Sequence, residues 1–223
     1  MLRKTPLAGL LTLVFASSTA GAAPYIGLGF GPEFADFGQE SHISRPGSFD
    51  VENKTHLSGL GVLGELFAGY DWTFARSFNL AGEINAEINS IEAQTSNAEY
   101  VHHNFMNTSY KATPTFGISV LPGYIFADNT LLYVRMGYSN TDFQLSTTGA
   151  GLSNVSQHVS GFRFGFGVKK ALFNNISIRM EYTQVRYQST SFTTVDTASN
   201  VTNTTSIRPQ TGEVEIGLLY NFT

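Results

Sequence analysis

The sequence predicts an all-β chain, an eight-stranded antiparallel transmembrane β-barrel. Three observations predict it: an export-type amino terminus, eight segments in which oily and polar side chains alternate, and connections that run short then long. The last segment shows the alternation best. Val214, Ile216, Leu218, Tyr220 and Phe222 share one face, and Glu213, Glu215, Gly217 and Asn221 share the other. Successive strand side chains point to opposite faces, so one face suits hydrocarbon and the other a polar interior.

The chain opens with Arg3 and Lys4, runs uncharged from Pro6 to Phe15, and reaches the small residues Ala20, Gly21 and Ala22. A basic start, a short apolar run and an Ala-x-Ala site predict a signal peptide over 1–22, cut after Ala22. A membrane helix would need about 20 apolar residues, and this run is shorter. Residues 23–223 then form one barrel domain. They keep 11 of the 13 Lys+Arg and all 17 Asp+Glu, a net charge of −6 that argues against nucleic acid. Without cysteine there is neither a disulfide framework nor thiolate chemistry. No later segment is apolar enough for a membrane helix, so a membrane position requires a closed sheet that satisfies every backbone group.

The strands follow in order. The first, near 25–34, sets Ile26, Leu28 and Phe30 against Gly27, Gly29 and Gly31. The second, about 58–72, sets Val62, Leu66, Ala68 and Tyr70 against Leu63, Glu65 and Phe67, an inner face with two large apolar residues. In the third, about 77–91, Phe78, Leu80, Gly82, Ile84, Ala86 and Ile88 alternate with Asn79, Ala81, Glu83, Asn85, Glu87 and Asn89. The fourth, about 112–126, opposes Phe116, Ile118, Val120 and Tyr124 to Thr115, Gly117, Ser119 and Gly123. Pro122 there predicts a bulge or a rim position.

Leu132, Val134, Met136 and Tyr138 face away from Tyr133, Arg135, Gly137 and Ser139 in the fifth, about 131–144. The sixth, about 157–171, carries Phe162, Phe164, Phe166 and Val168 opposite Gly161, Arg163, Gly165, Gly167 and Lys169. The seventh, about 175–190, carries Ile176, Ile178, Met180 and Tyr182 opposite Ser177, Arg179, Glu181 and Thr183, and the terminal segment is the eighth.

Short connections fall at 73–76, 127–130 and 172–174, the last two with the Asp-Asn and Asn-Asn pairs that suit tight turns. Long polar connections fall at about 35–57, 92–111, 145–156 and 191–211. An even strand number with short periplasmic turns and long extracellular loops is the bacterial outer-membrane pattern. On the export signal, the alternating strands and the aromatic last strand, the chain resembles the small eight-stranded outer-membrane barrels of the OmpA/OmpX/Opa-like class. That resemblance implies contact with outer-membrane lipid and lipopolysaccharide. It also implies recognition of the last strand by the barrel assembly machinery, although Thr223 follows the terminal Phe222 here.

The inward faces carry Glu65, Glu83, Glu87, Glu181 and Glu215 with Arg135, Arg163, Lys169 and Arg179. Eight strands leave a lumen that side chains fill, and opposite charges in it should pair, because an unpaired buried charge is costly. This reads as a filled interior that fixes strand register, with a polar plug or gate as the sharper alternative. Tyr70, Trp72, Tyr124, Phe126, Tyr220 and Phe222 cluster at the turn-side strand ends, as an interfacial anchoring girdle would.

His42, His56, His102, His103 and His158 lie in or beside the long loops without ligand spacing, so no metal site is expected. No phosphate-cradling glycine loop occurs, and no cofactor is expected. His158-Val-Ser160 resembles the His-x-Ser element of the lipid A deacylase barrels, which implies a histidine that activates a serine at the lipid-facing wall. Gly161 stands where that family has asparagine, and the family's acid would fall near Leu172. A histidine without an orienting carboxylate is a poor base, so no catalytic residue is expected and the chain reads as a non-enzyme. The expected role is structural or surface-interacting: adhesion, host contact or envelope integrity through the exterior loops. Loop 35–57, with Phe37, His42, Arg45, Phe49, Asp50 and Lys54, is the first choice for a host or environmental ligand. A narrow small-solute channel is the alternative.

Overall fold

Ile84, Phe164 and Leu218 stand in the open at 58%, 50% and 57% exposure, whereas Glu83 and Arg163 are buried at 2% and 0%. That polarity is inverted relative to a water-soluble protein, and it holds around the whole wall. The computed structural model describes residues 22–74, 77–95, 108–112, 114–126, 129–147, 155–196 and 201–222. The expected signal peptide, apart from Ala22, lies outside them. Ala22 is already in strand, opposite Trp72.

The strands are β1 (Ala22–Arg45), β2 (Phe49–Phe74), β3 (Phe78–Asn89), β4 (Glu92–Thr95), β5 (Thr108–Ala112), β6 (Thr115–Phe126), β7 (Thr130–Thr147), β8 (Val155–Ala171), β9 (Ile176–Tyr187), β10 (Thr190–Asp196) and β11 (Val201–Asn221). Eight of them form the staves, in the order β1-β2-β3-β6-β7-β8-β9-β11, every neighbouring pair antiparallel. The circle closes where β11 pairs with β1. β4, β5 and β10 are short additions beyond that wall.

At the turn end the connections are tight. Asn129 takes a left-handed φ of 56°, a conformation that asparagine tolerates. The 172–175 turn is held by Leu172 N–H donating to Ile176 O at 2.9 Å. The start of β1 and the end of β11 meet at this end, where Phe222 N–H donates to Pro24 O at 2.9 Å.

Two expectations need correction, the first of them at the other end. The long loops read at 35–57 and 191–211 are largely strand: β1 and β2 pair from Ala35–Gly59 out to Arg45–Phe49, and β10 pairs with the outer half of β11. Only 46–48 turn, with Gly47 at φ 75° and Ser48 N–H bonded to Arg45 O at 3.1 Å. The alternation was weak there because the outward face turns polar beyond the oily band, and only scattered inward residues such as Phe37 and Ile207 mark the phase. The 92–111 and 145–156 loops are likewise trimmed, by β4 and β5 and by the ends of β7 and β8. Pro122 produces no bulge. Val120 opposes Met136 and Gly123 opposes Tyr133 in one register, so the proline interrupts the β6–β7 ladder without inserting a residue.

Candidate functional site: the charged lumen and the outer rim

The lumen is layered along its axis. Nearest the turns is an apolar cluster of Tyr25, Phe67, Ala81, Leu121, Leu131, Tyr133 and Leu219. Phe67 and Leu63 are the two apolar residues that seemed misplaced on the inner face of the second strand. Phe67 is used as a platform: the Arg179 guanidinium lies 3.4 Å from its ring centroid, and Tyr25 meets it edge-on. A cation on an aromatic face loses less on leaving water than a cation against aliphatic walls.

Above it lies the middle charge tier. Arg135 reaches Glu83 at 2.6 Å and Glu181 at 2.6 Å. Arg179 donates to Glu215 at 2.9 Å, Glu83 at 2.8 Å and Glu65 at 3.2 Å. The Tyr25 hydroxyl donates to Glu83 at 2.8 Å and the Tyr133 hydroxyl to Glu181 at 2.6 Å. In the next tier Arg163 donates through Nη2 to Glu65, Glu87 and Glu213. Lys169 stands apart near the turn end and pairs with Asp71 at 2.6 Å. All nine charged residues singled out in the sequence therefore face inward, eight of them in one connected set and Lys169 in a separate pair.

Sequence reasoning passed over Glu33 and Asp71, and it placed Glu213 on the inner face without adding it to the network. The signal was present: Glu33 continues the odd-numbered phase of Gly27, Gly29 and Gly31, and Asp71 that of Glu65 and Phe67. Beyond the charges, Ala35, Phe37, Ile91, Val159, Val185 and Ile207 are buried at inward positions nearer the loop end. Phe37, chosen as a candidate binding residue, is 2% exposed and belongs to this inner layer.

The oily outer band stops at Phe34, Leu60, Tyr138, Phe162 and Tyr182, and polar side chains follow. There β1, β2 and β11 continue as a projecting sheet with a charged face. Lys54 lies 3.2 Å from Glu52 and 3.5 Å from Glu40, and the hydrogen bond to Glu52 raises its ammonium above the usual lysine range. His42 pairs with Asp50, and His56 lies 3.7 Å from Asp36. His102 and His103 lie outside the described residues.

At the same rim, His158 Nδ1 lies 2.5 Å from Asp142 Oδ1, and Asn140 donates to Ser160 Oγ at 3.0 Å. The carboxylate sought downstream of Ser160 is thus supplied upstream, by the residue directly opposite His158 on β7.

At the turn end, Tyr70 and Trp72, Tyr124 and Phe126, and Tyr220 and Phe222 form outward ring pairs with centroids 4.8, 5.1 and 5.0 Å apart. Phe74 and Phe78 join them.

The family model for the outer membrane protein beta-barrel domain matches residues 7–222. The chain belongs to that family. It is accordingly a protein of the bacterial outer membrane, as an inverted wall of this size requires. OprG of Pseudomonas aeruginosa is similar in structure, with a TM-score of 0.51 at 15% identity over 90% of this chain and 96% of that one. Neisserial surface protein A aligns at 17% identity over 91% and 99%, TM-score 0.43. Ail, the attachment invasion locus protein of Yersinia pestis, aligns at 13% over 86% and 99%, TM-score 0.37. At such identities the likeness concerns the fold alone. None of the curated proteins matches the chain in sequence.

Proposed function

We propose that this outer-membrane barrel is a rigid scaffold whose projecting sheet makes contact outside the cell, in adhesion, host contact or envelope integrity. The observation that carries this reading is the length of the β1–β2 hairpin beyond the oily band. From Ala35 to Arg45 the strand continues for about 33 Å at ~3.3 Å per residue. A charged face on so long a projection suits recognition, because polar side chains there cost nothing in lipid and are held by paired backbone. The lumen supports the same reading against a channel: Arg135 and Arg163 are wholly buried, with apolar layers toward both ends. In this reading the network fixes register, the turn-end aromatics anchor the barrel, and residues 1–22 are the export signal.

Replacing residues 36–56 by a short turn tests it. Cells carrying the shortened barrel should lose attachment to matrix-coated surfaces while the protein keeps its heat-modifiable gel mobility. Equal attachment by both forms would overturn the proposal. Discrete conductance steps from purified protein in a planar bilayer would favour the channel instead.

A second reading is favoured by Asp142. With His158 oriented by that carboxylate and Ser160 on the same outward strand face, a base and a nucleophile would be available at the rim to an acyl hydrolase acting on outer-leaflet lipid. Expression should then remove acyl chains from lipid A, and Ser160→Ala should abolish the loss. An unchanged lipid A mass spectrum would end this reading.

A further inference from the structure

Seven glutamates are buried among the described residues, against three buried arginines. The imbalance is not spread evenly. In the middle tier two arginines serve Glu83, Glu181 and Glu215, helped by two tyrosine hydroxyls. In the tier above, Arg163 alone faces Glu33, Glu87 and Glu213 while also sharing Glu65 with Arg179. Glu33 and Glu213 are direct cross-strand partners, an arrangement that repels when both are charged.

We propose that Glu33, Glu87 and Glu213 bind a hard divalent cation of the calcium class inside the barrel. One carboxylate oxygen from each lies within 4.8 Å of the other two. Calcium takes oxygen ligands at about 2.4 Å, so two oxygens on opposite sides of one ion are ~4.8 Å apart. Three oxygens no more than 4.8 Å apart have a common centre at most ~2.8 Å from each, so a few tenths of an ångström of side-chain adjustment brings all three to one ion without any movement of the strands that carry them. An independent sign is that Glu33 is 1% exposed and its Oε2 has no hydrogen-bond partner, and Glu213 Oε2 has none either. Arg163 occupies Glu213 Oε1 and Glu87 Oε2, which leaves Glu213 Oε2 free to take a second partner. One guanidinium cannot neutralise the four carboxylates around it, and a divalent ion supplies most of the difference. An all-oxygen donor set selects calcium, magnesium or manganese over softer metals, and an irregular one favours calcium, whose geometry is flexible.

The ion would enter as the barrel forms. Ile91 packs against Gly61, the cross-strand neighbour of Glu33, and Tyr187 is buried beside Glu87, Glu33 and Glu213, so bulky side chains flank the cluster. Calcium is therefore supplied during refolding.

The test refolds the full chain from urea into detergent micelles, in calcium or in EDTA, and measures metal content and unfolding midpoint. The expected result is about one calcium per folded chain, with a midpoint that rises with free calcium. Glu33→Gln and Glu87→Gln should each weaken binding by at least about tenfold, while Glu40→Gln on the projecting sheet should bind as wild type. If a glutamine variant fails to show heat-modifiable mobility, the wild-type metal content and calcium response decide alone. Folded wild type without stoichiometric metal would overturn the proposal. Equal stability in calcium and EDTA would also overturn it, as would binding that survives both glutamine variants.

Discussion

Arg135→Met removes a guanidinium that is wholly buried and replaces it by an apolar side chain of similar length. The two carboxylates it serves lose very different amounts. Glu83 keeps Arg179 at 2.8 Å and the Tyr25 hydroxyl at 2.8 Å. Glu181 has no other ion pair within contact distance among the described residues and is left with the Tyr133 and Thr183 hydroxyls. Breaking a buried pair from one side costs about 3–5 kcal/mol, chiefly through the charge left behind. That charge sits on Glu181, so Arg135→Met with Glu181→Gln should recover at least about 2 kcal/mol of the loss, a coupling in the range neighbouring residues show. The readout is urea unfolding in lipid vesicles, followed by fluorescence of Trp72, the chain's single tryptophan, which lies on the outer wall. A single variant that loses under about 1 kcal/mol, or a double variant no more stable than the single, would refute the reasoning.

Two further outcomes are expected on the same assay. Ile84→Arg places a cation on the lipid face of β3 and should cost about 2–4 kcal/mol near the bilayer midplane; no loss would mean the wall does not face hydrocarbon. Phe67→Ala removes the ring beneath Arg179 and should cost about 3–5 kcal/mol, and a loss below about 1 kcal/mol would show that the platform is not needed.

Polarity was legible because hydrocarbon and lumen demand opposite side chains at alternate positions. Ile84 and Glu83 are neighbours in sequence and end on opposite faces. The projecting halves of β1, β2 and β11 were read as loops that could hide a hairpin extension, for the converse reason: beyond the oily band the outward face carries Asp36, Glu40 and His42, so it no longer contrasts with a polar interior. Pairings across long connections were equally hidden. A tight turn sets the β2–β3 register, with Phe74 opposite Phe78, but β7 and β8 are joined through 148–154, and nothing in those residues announces that Asp142 will meet His158. The side chains at the lumen surface were readable one by one. That Glu33 would stand directly opposite Glu213 required the closing seam, which joins the first strand to the last.

That seam has a consequence for biogenesis. The strand translated first finds its second neighbour only when the strand translated last has been delivered, so the wall has two raw edges until synthesis is complete. Hairpins such as β2–β3 can form early from local contacts, whereas ring closure carries the largest loop entropy in the molecule. A chain cut short before β11 therefore leaves β1 and β9 as open edges and has no route to a sealed wall.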